Sequence, residues 1–355
     1  MRGICGEVRT SGEVSLWELT RATLSMHSRG PDAVGFFVRG NLAFGHRRLR
    51  ILDLAPASQQ PMIDNELGLW LVFKCCIYNF RELKSEIGAK GYRFFSEGDT
   101  EVILKSYHTW GPNCVRKFKG MFAFAVWERD SGRVVLARDR LGIKPLYYTE
   151  GGAIEAMSKP IVSHDSVAFF LLSAEVAQRV KVVQTGQGAD EVSGGYSWSP
   201  SFLAADDATE QYQGAYFDWS HVDLARLMSP EFVRKISASG LSRISLHRPS
   251  ASTAVDKALQ IDTEIMLVDD PVKRVDSMTM AHGLEARVPF LDHEVVELAA
   301  RIPANLKVRG DGKYILREAA RKFVPAEVID RSKGYLPVPS LRYLRGPSCP
   351  ASRKS

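Results

Sequence analysis

The chain has 355 residues, 45% of them apolar and 25% charged, with a formal charge of +6, which is ordinary for a soluble globular protein of about two domains. Its basic residues are interleaved with acids, without long basic runs or the aromatics of an RNA-binding module, which argues against a nucleic-acid partner. No apolar stretch approaches the ~18 residues of a membrane span, and Cys5, Cys75, Cys76, Cys114 and Cys349 form neither a C-x-x-C pair nor a metal spacing, so a cytoplasmic protein without disulfides is expected.

Residues 1–150 read as a mixed α/β domain. Gly3 to Val8 predicts a short strand, and Trp17 to His27 has helical apolar spacing until Gly30-Pro31 breaks it. Gly35 to Val38, Leu42 to Leu49 and Leu69 to Phe73 predict further strands, and Arg81 to Ala89 a helix ending before Gly91. A second helix, Thr100 to Trp110, takes Asp99 as its N-cap. Met121 to Trp127 and Arg133 to Arg138 alternate around Asp130-Ser131-Gly132, a hairpin signal. The order suggests stacked sheets flanked by helices.

Beyond Gly151 the pattern changes. Ser166 to Val176 is helical, and Lys181-Val182-Val183 reads as a strand running into the Gly-rich turn Thr185-Gly186-Gln187-Gly188-Ala189-Asp190-Glu191. Glycines there let backbone N–H groups converge on an anion, and a carboxylate beside bound phosphate implies a magnesium ion between them. A solvated turn before an acidic helix start is the plainer alternative. Trp198, Tyr212, Tyr216, Phe217 and Trp219 read as packing residues on irregular helices, and helical spacing returns from Thr253 to Met280. The tail 345–355 is basic and rich in breakers, so disorder is expected.

Thr185 to Tyr196 resembles the pyrophosphate loop of the glutamine-dependent asparagine synthetase family, usually written S-G-E-G-[AS]-D-E-[LV]-F-G-G-Y; Gln187 stands for a glutamate and Ser193 for a phenylalanine. Ser28 to Asp32, Gly45 to Asp53, Ile77-Tyr78-Asn79, Gly98 to Leu104, Gly120 to Ala125 and Ala137 to Tyr148 are similar to that family's class II glutamine amidotransferase domain. Gly283 to Asp292, Gly312 to Arg317 and Arg331 to Tyr335 are similar to its synthetase domain. Gln187, with Ser158 to Asp165, looks closest to the N-acetylglutaminylglutamine amidotransferase branch.

The resemblance implies a fold and a chemistry. The fold is an αββα four-layer sandwich of the N-terminal-nucleophile hydrolase type over 1–150. It is followed over 151–344 by a truncated, mainly helical remnant of an adenine-nucleotide α-hydrolase-like synthetase domain. The chemistry is hydrolysis of glutamine to ammonia, and capture of that ammonia by an adenylated acidic or peptide carboxylate, with release of AMP and pyrophosphate. Arg48 would hold the glutamine carboxylate and Asp99 its ammonium; Thr185, Gly186, Gln187, Gly188 and Asp190 would hold the phosphates of ATP, Asp190 its Mg2+, and Lys333 the charge on the adenylate.

This sequence departs from the family where the chemistry is done. Arg2 stands at the position of the nucleophilic cysteine, and Lys74-Cys75-Cys76 where the family has an Asn-Gly oxyanion-hole pair and a variable residue. The phosphate loop Ser-Gly-Gly-x-Asp-Ser occurs nowhere, which leaves the core for ATP incomplete. Cys5 reads as a core cysteine, and Cys75 as the thiol with better prospects of reactivity, because Lys74 beside it can lower its pKa. The expectation is a catalytically defective, internally truncated relative. The alternative is a non-catalytic subunit that binds glutamine or a full-length homologue; a homo-oligomer is the remaining candidate assembly.

Overall fold

The computed structural model describes residues 2–147, 165–216, 221–230 and 250–332. Its contacts gather into two units: residues up to 184 with 273–287, and 185–272 with 288–332. The expected boundary at 150/151, Lys333 and the tail 345–355 lie outside the described residues.

The first unit begins with strand β1 (Gly3–Val8) and helix α1 (Leu16–Ser25), whose N-terminus is capped by the Ser15 hydroxyl accepting from the Glu18 amide. Strands β2 (Ala33–Arg39) and β3 (Leu42–Arg48) follow, and β3 pairs antiparallel with both others, giving the order β1-β3-β2. All seven residues of β3 are buried, because both faces are covered. Leu42 and Phe44 face a second sheet, while Ala43 packs with Leu19 of α1. A Cβ on Gly45 would sit 2.0 Å from the Thr23 hydroxyl of α1, so helix and strand approach this closely only over glycine.

The second sheet is antiparallel, in the order β4 (Met62–Asp64), β5 (Leu69–Ile77), β6 (Gly120–Glu128) and β7 (Val134–Arg138). The two-residue side-chain period divides β5 cleanly. Trp70 and Val72 pack with Leu42, Phe44 and Trp127 between the sheets, whereas Leu69, Leu71 and Phe73 pack with Val102, Ile103 and Leu104 of helix α3 (Asp99–Trp110). Helix α2 (Phe80–Gly88) adds Leu83 and Ile87 to that second core. Trp70 and Trp127 meet edge to face, 4.6 Å between centroids, a geometry worth about 0.5–1.5 kcal/mol beyond the area buried. Helix, sheet, sheet, helices: the layer order is αββα.

Helix α4 (Asp165–Ala177) and strand β8 (Val182–Gln184) complete this stretch. β8 pairs in parallel with a strand from much later in the chain, β9 (Glu285–Arg287).

The second unit is mainly helical. Helices α5 (Ala189–Ser193), α6 (Ala208–Tyr216), α7 (His221–Leu227) and α8 (Ala254–Ile261) precede helices over His293–Arg301, Ala304–Lys307, Tyr314–Ala320 and Ala326–Ile329. Phe202, Tyr212, Val255, Leu259, Ile261 and Val308 form its core, with Trp198 and Tyr216 against it, as packing residues should be; Phe217 and Trp219 lie outside the described residues.

Several expectations need correction. β5 does not stop at Phe73 but runs to Ile77, carrying Lys74, Cys75 and Cys76 inside a paired strand. Asp99 is the first residue of α3, not its cap; Gly98 holds that position without a side-chain bond. The helical run from Thr253 is interrupted by a π turn (Asp262–Met266) and stops at Asp269, before Pro271 opens a new helix, Pro271–Met280. Proline has no N–H to continue a helix but suits its first turn.

Candidate functional site

Arg2 precedes β1 and shares the parity of Ile4, which belongs to the core between the sheets. Its guanidinium donates to the Thr100 hydroxyl at 2.9 Å, lies 3.7 Å from the Asp99 carboxylate and sits 5.2 Å above the Phe73 ring. Arg2 is 5% exposed and Asp99 0%. Burial pushes the Asp99 carboxyl up, while Arg2 and the Ile77 amide, which donates to it at 3.1 Å, pull it down. Asp99 therefore ties the start of α3 to the end of β5. A cleft with roughly 10 Å³ of free space, about one water's worth, is lined by Arg2, Leu49, Ile51, Cys75, Cys76 and Glu285 among others.

Arg48 closes β3 with a fully buried side chain whose Nη2 donates to the Asp53 and Ala55 carbonyls at 2.7 and 3.0 Å. Its Nε and Nη1 are buried with no hydrogen-bond partner. That is an expensive state for a guanidinium; burial first, then Arg2 and Arg50, lowers its pKa. Its neighbour in the strand, His46, is held neutral by the same causes, burial before the charges of Arg2 and Arg48.

Cys75 has φ = 100°. A residue with a Cβ rarely adopts this conformation and glycine adopts it readily, so the strand retains a glycine-like backbone where the expected Asn-Gly pair is absent. Its thiol is not activated. Burial, then the charge of Glu285, pushes it up to about 12 despite Lys144 nearby, and burial pushes Cys76 up as well. Lys74 fails to help because its amine points elsewhere, 3.2 Å from the Asp276 carboxylate, which overturns the expectation that it lowers the Cys75 pKa. Cys5 behaves as a core cysteine, its sulfur 3.2 Å from the Thr23 hydroxyl and its pKa raised by burial.

Asp276 is the residue that sequence reasoning missed. It is 2% exposed and binds Arg29 at 2.9 Å, Lys144 at 3.0 Å and Lys74 at 3.2 Å. Three cations hold its carboxyl well below the usual range against the cost of burial. Lys74 moves down, to about 8, because its own desolvation outweighs Asp276 and is reinforced by Arg29 and Lys144. No local signal in Pro271–Met280 announces this role. The carboxylate is drawn in by residues roughly 130 to 250 positions away, a distance that no periodicity reports.

In the second unit, Thr185, Gly186, Gln187 and Gly188 form the turn before α5, with Gly188 at φ = 96°. A Cβ at Gly188 would meet Leu291 at 2.4 Å, whereas at Gly186 it would meet nothing within 4 Å. Asp190 accepts an ion pair from Lys313 at 2.9 Å, and a Cβ on Gly195 would collide with both partners. Glu191 accepts from the Tyr196 hydroxyl at 2.8 Å, and its other oxygen is buried without a partner. Among the described residues no three His, Cys, Asp or Glu side chains gather to hold an ion. A helix of five residues gives little dipole for phosphate, and Lys313 already neutralises Asp190. The described residues thus do not fit ATP with Mg2+, and two of the glycines are explained by packing alone. Lys333 lies outside them.

Residues 1–173 match the glutamine amidotransferase domain family, and residues 151–353 the asparagine synthase family. Among curated relatives, asparagine synthetase [glutamine-hydrolyzing] 1 of Bacillus subtilis is 23% identical over an alignment 525 positions long, covering 89% of this chain and 83% of the relative. Asparagine synthetase [glutamine-hydrolyzing] 3 of the same organism is 35% identical over 154 residues, and putative asparagine synthetase [glutamine-hydrolyzing] 2 of Methanocaldococcus jannaschii 37% over 166; each match covers 42% of this chain but only 25% and 32% of the relative. Of solved structures, the glutamine phosphoribosylpyrophosphate amidotransferase of B. subtilis aligns with TM-score 0.34 and 21% identity over 39% of this chain and 38% of that one. An amidotransferase segment leading into a match that spans more than half of the sequence makes this chain a member of the asparagine synthase family.

Proposed function

We propose that this chain descends from a glutamine-dependent amide ligase and performs neither half of the ligase reaction. The observation that carries the reading is Arg2, buried and bound to Thr100 and Asp99 at the position where the family resemblance requires a nucleophile.

Glutamine hydrolysis needs a group that attacks the amide carbon and a base that takes its proton. A guanidinium stays protonated at any physiological pH and has no lone pair to offer. With Cys75 pushed up to about 12, its thiolate fraction at neutral pH is on the order of 1 in 100,000. Cys5 lies on the α1 side of β1, with Thr23 and Gly45. The oxyanion contribution is weakened as well: Lys74, at the place of the amide donor, is committed to Asp276, and the glycine-like backbone of Cys75 is what remains of the pair.

The synthetase half lacks support of a different kind. The alignment with the B. subtilis relative is longer than this chain, so at least 170 positions of the relative face no residue here. Together with the missing phosphate loop and the Asp190–Lys313 pair, this supports an internally shortened synthetase domain that has lost ATP and Mg2+. Gln187 supports ancestry near the N-acetylglutaminylglutamine branch, with a peptide carboxylate as the ancestral acceptor. On the second reading, a partner subunit, the first unit remains useful as a folded body whose cleft is shut.

The test supplies the purified chain with glutamine and, separately, with ATP, Mg2+, ammonia and candidate carboxylates. Neither glutamate nor AMP should form above the no-protein background; turnover of either kind would sink the reading.

A further inference from the structure

The cleft beside β1 and β5 has a peculiar economy of charge. Asp99 is a fully buried carboxylate, and its counter-ion comes from the second residue of the chain, at 3.7 Å. The same guanidinium is pinned by Thr100 at 2.9 Å and lies over the Phe73 ring, 5.2 Å from its centroid, so its position is set from three sides. What it leaves is roughly the room of one water. Asp99 and Thr100 open α3, and Phe73 lies on β5, so the anchoring groups are parts of rigid elements and not of a loop.

We infer that the Arg2 side chain is a tethered plug: its guanidinium occupies the place at Asp99 that a ligand's ammonium group would take, and closes the cleft to small molecules. The ligand class follows from the groups covered. A buried carboxylate and a neighbouring hydroxyl suit an ammonium group, which is opposite in charge to Asp99 and can donate to Thr100. This identification rests on the proposed descent from a glutamine-hydrolysing domain; the plug itself does not.

Cys75 and Cys76 report on the cleft, since both line it and are only 4% and 3% exposed. The experiment follows their modification by methyl methanethiosulfonate in the full chain, resolved by peptide mass spectrometry, in wild type, Arg2→Ala and Arg2→Met. Methionine keeps an unbranched side chain of similar reach without the charge. Arg2→Ala should raise the rate at both thiols at least about tenfold over wild type, with Arg2→Met remaining slow, as expected when a local barrier and not global opening limits access. Unchanged rates in a folded Arg2→Ala protein would overturn the plug. Equally fast labelling of the two variants would overturn it too, because bulk at this position would then not be what excludes the reagent. Adding glutamine separates the two claims. Protection of the Arg2→Ala thiols supports both, whereas fast labelling without protection leaves the plug standing and removes glutamine as its ligand.

Discussion

Cys75 shows how a single residue records what the backbone around it was built for. A side chain at φ = 100° costs of order 1–3 kcal/mol, tolerated only where the surroundings fix the conformation. Here both neighbouring residues are held in the ladder between β5 and β6. Cys75→Gly removes the strain and the buried thiol together; Cys75→Ala removes the thiol and keeps the strain. The glycine variant should therefore be the more stable of the two by about 1 kcal/mol in urea unfolding, the reverse of the usual order inside a strand. If alanine proves the better replacement, the conformation carries no strain. The cysteine was legible in the sequence as a departure from a pattern, but its geometry was not, since side-chain identity alone gives no φ.

Among the elements, strands and helices with a clean period were read nearly to their ends, as β1 and α3 illustrate. What escaped was set by tertiary contact. β4 is three residues long, too short to show alternation, and β5 extends through Lys74 because β6 pairs with it and Asp276 receives its charge. The π turn after α8 is a third case, and it carries a titrating group. Asp262 is buried and bonded by Tyr212, and burial, with Glu191 and Asp190 adding to it, raises its carboxyl to about 7. In the unfolded chain the group titrates near ~3.9. Between those values the folded protein keeps a proton that the unfolded chain has released, so this contribution weakens as pH rises from about 4 to about 7. Denaturation curves at pH 5 and pH 8 should show a stability difference that shrinks in Asp262→Asn; an unchanged difference would assign the effect elsewhere.

At the scale of the whole chain, the first unit is not finished where its sandwich ends. Residues 273–287 return to it, bringing β9 to β8 and Asp276 to three cations, the buried Lys74 and Lys144 and the partly exposed Arg29. Removing the carboxylate leaves those charges facing each other, a loss of about 3–5 kcal/mol for a broken buried pair. Asp276→Asn should cost that much in denaturant titration. Lys74→Met, which takes one excess cation out of a cluster where burial already lowers its pKa to about 8, should cost under about 1 kcal/mol or stabilise. Comparable losses in both variants would mean that the cluster is not overcharged. The family was legible from motifs, and so was the vacancy at the nucleophile position. That Arg2 fills this space, paired to Asp99, was not, because a sequence gives the residue and not the direction in which it points.

The late return also sets a schedule for synthesis. With chains elongating at roughly 5–20 residues per second, the ribosome needs on the order of 10 s to travel from β8 to β9. A sandwich that folded within that interval would bring Arg29, Lys74 and Lys144 together before their shared anion has been translated, and would leave β8 without its only described strand partner.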